Sequence, residues 1–193
     1  MIDFIGDISK ADAEVLADFA IESKNILEFG VGASTQVLQY YRGEGSTMLS
    51  IDTSPEWIER TWDNLSKLKI PGVHRLMEFK NWKAGHVIGQ ENFCDFIFDD
   101  GVDHLRLQFG LMAFDYLKVG GYLAMHDTRR TPDARNFLEI VAMHHNEIDL
   151  VQMNVNHSNI SYLRKKVPEP YINWQLTEGK EPWQYGLAPT PQI

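Results

Sequence analysis

A chain of 193 residues, 44% of them hydrophobic, has the length of one domain and would bury about 70% of the surface its unfolded form exposes, which excludes a disordered segment. Its 18 basic and 27 acidic side chains leave a net charge of −9, and no long run of Lys and Arg offsets it, so nucleic acid is not an expected partner. No apolar run approaches the ~20 residues of a membrane span, no basic and apolar secretory pattern opens the chain, and the single Cys94 allows no internal disulfide, so a cytoplasmic protein is expected.

Ser9 caps a first predicted helix running to about Ser23, with Val15, Leu16, Phe19 and Ala20 on its apolar face. Ile26–Phe29 reads as a short buried strand. Gly30 and Gly32 follow, where the backbone turns sharply and admits a ligand without a Cβ in the way. A helix bearing Val37, Leu38 and Tyr41 leads to a second strand, Met48–Ile51, which ends on Asp52, 22 residues after Gly30. Strand, glycine turn, helix, strand and acid is the layout of a mononucleotide-binding half of a doubly wound sheet, whose acid accepts hydrogen bonds from ribose hydroxyls. Ser54-Pro55-Glu56 opens the next helix, with Ile58, Trp62, Leu65 and Leu68 at helical spacing up to Pro71-Gly72.

Val73–Phe79 is the third predicted strand, and Gly85 and Gly89 interrupt any helix in Lys80–Asn92. Cys94–Phe98 is a fourth strand, ending in Asp99-Asp100-Gly101, and Cys94 reads as a buried, inert thiol. Leu107, Leu111, Phe114 and Leu117 stripe a helix that Gly120-Gly121 is expected to stop. Tyr122–Met125 is a fifth strand, ending in His126-Asp127-Thr128. Thr131-Pro132-Asp133 starts a helix with Phe137, Leu138 and Val141, and Ile148–Val155 with Asn159–Arg164 forms a hairpin through Asn156-His157-Ser158. The alternation gives an α/β fold with a mostly parallel, doubly wound sheet and a C-terminal antiparallel hairpin. From Val167 the texture changes: five of the eight prolines and Tyr171, Trp174, Trp183 and Tyr185 lie there. This tail is expected to pack on the domain, cover its opening or meet another subunit, as in a homo-oligomer.

Four strand ends carry polar residues: Glu28–Gly30, Asp52, Asp99-Asp100 and His126-Asp127. That edge is where open α/β sheets bind ligands. His104, four residues after Asp100, opens a helix beside it, as a base, a substrate contact or a loop anchor. The other five histidines, His74, His86, His144, His145 and His157, read as structural or surface groups.

A dinucleotide fingerprint wants Gly or Ala at the position of Thr35, and Glu28 suits an ammonium group better than a pyrophosphate. Glu28-Phe29-Gly30-Val31-Gly32-Ala33-Ser34-Thr35 resembles the first motif of class I S-adenosylmethionine-dependent methyltransferases. DFIFDDGVDH and GGYLAMHD resemble small-molecule O-methyltransferases in which one strand ends Asp-Gly-x-His and the next His-Asp. The resemblance runs from about Ile26 to Thr128. It implies a single-domain, Rossmann-like methyltransferase fold over residues 1–166, with 167–193 as its tail. It implies S-adenosylmethionine bound by Glu28, Gly30, Gly32, Ser34, Thr35, Asp52 and Asp99, with Asn81 and Trp82 bordering the adenine. In metal-dependent relatives the acid and the adjacent pair hold a divalent cation, which carries over to Asp100, His126 and Asp127. Magnesium prefers oxygen ligands, so the imidazole of His126 favours manganese, iron or zinc, or else acts as a base without metal. Asp100, His104 and His126 are the expected catalytic residues, and the acceptor is the hydroxyl of a small molecule such as a sugar. An NAD-dependent oxidoreductase and a catalytically inactive cofactor-binding module are the alternatives.

Overall fold

The computed structural model describes residues 3–70, 75–82 and 93–167. The expectations for the tail from residue 168 onward, and for most of the segment Lys80–Asn92, lie outside the described residues.

The first helix forms where its cap predicts. Ser9 Oγ accepts the Asp12 amide, and α1 runs over Lys10–Glu22. Six further segments share this legibility: β1 (Asn25–Phe29), α2 (Ala33–Tyr41), β2 (Thr47–Asp52), α3 (Pro55–Lys67), β3 (Arg75–Glu78) and β4 (Cys94–Asp99). Ser54 caps α3 by accepting the Trp57 amide, with Pro55 in the first turn. Then come α4 (Arg106–Tyr116), β5 (Leu117–Met125), α5 (Thr131–Met143), β6 (Ile148–Gln152) and β7 (Ser161–Lys165).

The strands form one sheet in the order β3-β2-β1-β4-β5-β7-β6, with β1 to β5 parallel and β7 antiparallel to both β5 and β6. Alternate residues of β1 show how the layers are made. Ile26 faces a cluster with Val15 and Leu16 of α1 and Val37 and Leu38 of α2, whereas Leu27 and Phe29 face Phe109 and Phe114 of α4 and Phe137 and Ile140 of α5. Buried on both sides, the central strands need apolar residues at every position, and a polar residue inside them stands out. The order reverses at β1, whose neighbours are β2 and β4, so the crevice between the ends of β1 and β4 is the topological switch point. Among the described residues no helix is long and apolar enough to cross a membrane.

Three expectations are corrected. Gly120-Gly121 does not end a helix: α4 stops at Tyr116 and both glycines lie within β5. A Cβ on Gly121 would come within 3.0 Å of the Asp95 and Cys94 carbonyl oxygens, beside the register shift of the β4–β5 pairing, so the pair serves a close backbone approach instead. In α3, Trp62 is 42% exposed, and Thr61, Asn64 and Leu65 are the buried positions. The tight hairpin is a longer β6–β7 connection with a 3₁₀ turn at Val155–His157, in which Asn154, Asn156 and His157 take positive φ.

Candidate active site

A cavity of about 650 Å³ lies over the C-terminal ends of β1, β2, β4 and β5. The glycine turn forms one wall. Gly30 has φ +86°, and a Cβ there would sit 2.2 Å from the Asp100 carbonyl oxygen, so no side chain fits where β1 meets the end of β4. Gly32 lines the cavity, and a Cβ on it would meet nothing within 4 Å, which leaves open space above the turn. Ser34 and Asp52 also line this wall. Asp52 is anchored by the backbone: Oδ2 accepts the Val31 amide (2.8 Å) and Oδ1 the Ser54 amide (2.7 Å). Each oxygen keeps a further lone pair for a ligand hydroxyl.

Glu28 is a different group from the one expected. It is fully buried behind the turn, and three hydroxyls close on it: Ser34 on Oε1 (2.7 Å), Thr35 on Oε2 (2.8 Å) and Ser50 on Oε2 (2.5 Å). Burial pushes its pKa up to about 7 against the pull of those donors. It does not line the cavity, so the expected ammonium contact is corrected: Glu28 holds the turn from beneath. Thr35 shares that role, since its Oγ1 also accepts the Gly32 amide at 2.9 Å.

The opposite wall is made of charges. Asp100, His126 and Asp127 each offer a ligand atom, and these atoms lie within 4.8 Å of one another. Nδ1 of His126 is 3.3 Å from Asp100 Oδ1 and 3.5 Å from Asp127 Oδ1, while Nε2 is 3.5 Å from Asp12 Oδ2. Burial works against charge on this ring, but Asp100, Asp12 and Asp127 outweigh it and raise its pKa to about 10. Asp12 moves the other way: burial is outweighed by His126, Ser9 and Asn159, and its pKa falls to about 2. These carboxylates thus favour the charged form of the ring. Asp127 has φ +58°, a left-handed backbone in a non-glycine residue at the end of β5.

Beneath these acids lies Arg106, 4% exposed at the start of α4. Its Nη1 is 2.7 Å from Asp133 Oδ1, its Nη2 3.1 Å from Asp100 Oδ1, and its Nε donates to the Gly101 carbonyl (3.0 Å). Arg130 ties Asp127, Asp103 and Asp133 from the rim. Desolvation would lower the Arg106 pKa, but Asp100, Asp133 and Asp99 raise it, so the guanidinium stays charged.

Of the expected site residues, Gly30, Gly32, Ser34, Asp52, Asp100, His126 and Asp127 meet around the one cavity. The others do not. Asp99 is fully buried, accepts the Gly101 amide and has a pKa raised well above the carboxylate range by burial. Trp82 packs its indole on Phe29, Phe79 and Tyr116, and Asn81 is exposed, so neither borders the cavity. His104 is exposed and outside it, and two residues, Val102 and Asp103, separate it from Gly101 where the resembled pattern has one. Sequence reasoning missed Asp12, Arg106 and Asp133. A proline-flanked acid in the first turn of α5 hints at Asp133, and an arginine beside an apolar stripe hints at Arg106.

A nitrogen and two carboxylate oxygens suit a divalent cation of borderline softness, so this donor set fits one. Nδ1 would have to give up its proton to bind, so cation and proton compete for the same ring.

The strand order and the reversed last strand are those of the class I methyltransferase fold, and solved structures bear this out. The O-methyltransferase of Bacillus cereus, in complex with SAH, superposes with a TM-score of 0.63 at 15% identity, over 83% of this chain and 84% of that one. An O-methyltransferase of Streptomyces achromogenes involved in tomaymycin synthesis, in complex with SAM, gives 0.64 at 11% identity over 83% and 82%. The tRNA (m1A58) methyltransferase of Aquifex aeolicus gives 0.61 at 16% over 86% and 73%. No protein-family model and no curated protein matches the sequence. Identities this low establish the fold alone, and the last likeness shows that it serves very different acceptors.

Proposed function

We propose that this protein is an enzyme that transfers a methyl group from S-adenosylmethionine to a hydroxyl of a small molecule, with a divalent cation at Asp100, His126 and Asp127. The observation that carries the reading is one cavity with two unlike walls: a glycine turn with a ribose-type acid on one side and a metal-type trio on the other. Two of the similar solved structures are O-methyltransferases that hold SAH or SAM, which supports the same cofactor here. The volume, about 650 Å³, suits a nucleoside and a small acceptor together. The net charge of −9 favours a small molecule over nucleic acid, and the lone buried Cys94 is consistent with a cytoplasmic setting.

In this reading Asp52 takes the ribose hydroxyls, and the open face of Gly32 lets the cofactor lie against the backbone. The acceptor oxygen lies between the cofactor and Asp100, in line with the carbon–sulfur bond. As the oxygen–carbon bond forms, sulfur leaves with the electron pair and the hydroxyl proton passes to Asp100, which faces the cavity. Arg106 holds that carboxylate in place. The cation, when bound, lowers the pKa of the acceptor hydroxyl.

An NAD-dependent oxidoreductase is disfavoured by Thr35, which clamps Glu28 and the Gly32 amide where a dinucleotide site packs Gly or Ala. Calorimetry with S-adenosylmethionine and with NAD separates the two: binding of NAD alone would remove the proposal. For the metal, excess chelator should abolish transfer, manganese should restore it better than magnesium, and Asp127→Ala should lose activity while still binding S-adenosylmethionine. Full activity in chelator would remove the cation from the mechanism.

A further inference from the structure

The carboxylate on the far side of His126 comes from the other end of the chain. Asp12 is in the first turn of α1, is 1% exposed, and has no place in the glycine turn or in the acid trio. Its fixation is complete. Oδ1 accepts the Asn159 amide (2.6 Å), Oδ2 accepts Ser9 Oγ (2.5 Å), and the same Oδ2 is 3.5 Å from His126 Nε2. Nε2 is a buried nitrogen with no hydrogen-bond partner of good geometry, and Asp12 is the carboxylate it faces. Nδ1, on the opposite side of the ring, faces Asp100 and Asp127. Carboxylate, imidazole and acid pair thus follow one another. In metal sites a ligating histidine gives its second nitrogen to such an outer carboxylate, which fixes the tautomer and the ring plane.

We propose that Asp12 is the positioning residue of the acid trio: by engaging Nε2 of His126 it commits Nδ1 to Asp100 and Asp127 and sets the affinity of the three for a divalent cation. This rests on the cation of the proposed function, but not on the methyl transfer. Asp12 acts on the ring from a helix outside the glycine-turn half, so α1 is part of the site rather than a cover for the sheet.

The test uses cobalt(II), whose visible absorption reports nitrogen coordination, on the full chain with Asp12→Asn and Ser9→Ala variants. Asp12→Asn keeps an acceptor for the Asn159 amide and removes the charge opposite Nε2. It should weaken cobalt binding by about 10–100-fold and change the His126 ring ¹⁵N shifts in the metal-free protein. Ser9→Ala removes a cap and one hydrogen bond to Asp12 but leaves the carboxylate opposite the ring. It should lower the melting temperature and leave cobalt affinity within about twofold of the original chain, since it loosens structure without touching the pair. Equal cobalt affinity and unchanged ring shifts in Asp12→Asn would overturn the proposal. So would equal weakening in Ser9→Ala, which would reduce Asp12 to a structural anchor. An original chain that binds no cobalt would overturn it as well, whereas failure to bind S-adenosylmethionine would sink the methyltransferase reading and leave this result standing.

Discussion

The two walls of the cavity are built on opposite principles. The Gly30–Asp52 wall is backbone: a glycine turn, a helix start and one acid pinned by two amides, all between Gly30 and Ser54. The Asp100–Asp127 wall is charge: its acids and cations come from α1, β4, α4, β5 and α5, and each is held by another. A backbone wall is set by local geometry and tolerates loss of a single polar contact. A charge wall is set by mutual compensation, and removing one member strands the rest.

Arg106→Ala should show that dependence most strongly. It leaves Asp133, 1% exposed, and Asp100 without their buried partner, at a cost of about 3–5 kcal/mol. Urea denaturation checks this, and a loss below about 1 kcal/mol would mean that Arg130 alone holds the cluster. Gly30→Ala tests the backbone wall. Positive φ costs about 1–3 kcal/mol and the overlap with the Asp100 carbonyl adds to it, so a loss of about 3 kcal/mol is expected by the same measurement.

Glu28 sharpens the contrast through pH. Its folded pKa of about 7 lies above the ordinary 4.5, so the folded protein holds a proton that the unfolded chain releases between those values. Stability contributed by this group is complete below about pH 4.5 and declines as pH rises to about 7, by up to about 3 kcal/mol. Subtracting the pH–stability curve of Glu28→Gln should isolate that decline, and parallel curves would refute it. Asp52→Ala should have the smallest effect on the fold, and weaken S-adenosylmethionine about tenfold or more by calorimetry, since a charged acceptor contributes about 1.5–3 kcal/mol. Unchanged affinity would remove Asp52 from the site.

The same contrast explains what could be read in advance. Ser9, Ser54 and Pro55 mark their helices because caps are local, and Gly30 to Asp52 declares its topology because the unit is contiguous. The trio Asp100, His126 and Asp127 was legible through strand ends, which parallel pairing brings side by side. Glu28 was misplaced because sequence shows an acid near a ligand turn but not which way an alternating strand points it. Trp82 shows the same limit, since a tryptophan near the adenine and one stacked into the core are spelled identically. Gly120-Gly121 misled because glycine serves both helix ends and tight strand contacts. Asp12 was invisible and Arg106 only hinted at, because their value lies in partners brought by tertiary packing.

The hydrogen bond from Asn159 to Asp12 spans 147 residues. A contact of that separation closes only after most of the chain has been made and collapsed, since loop closure of such length is slow. The Gly30–Asp52 wall needs no such closure within itself, because its strands and helix are consecutive. His126 therefore faces its outer carboxylate only where the first helix meets the β6–β7 connection, so the charge wall is complete only in the finished fold.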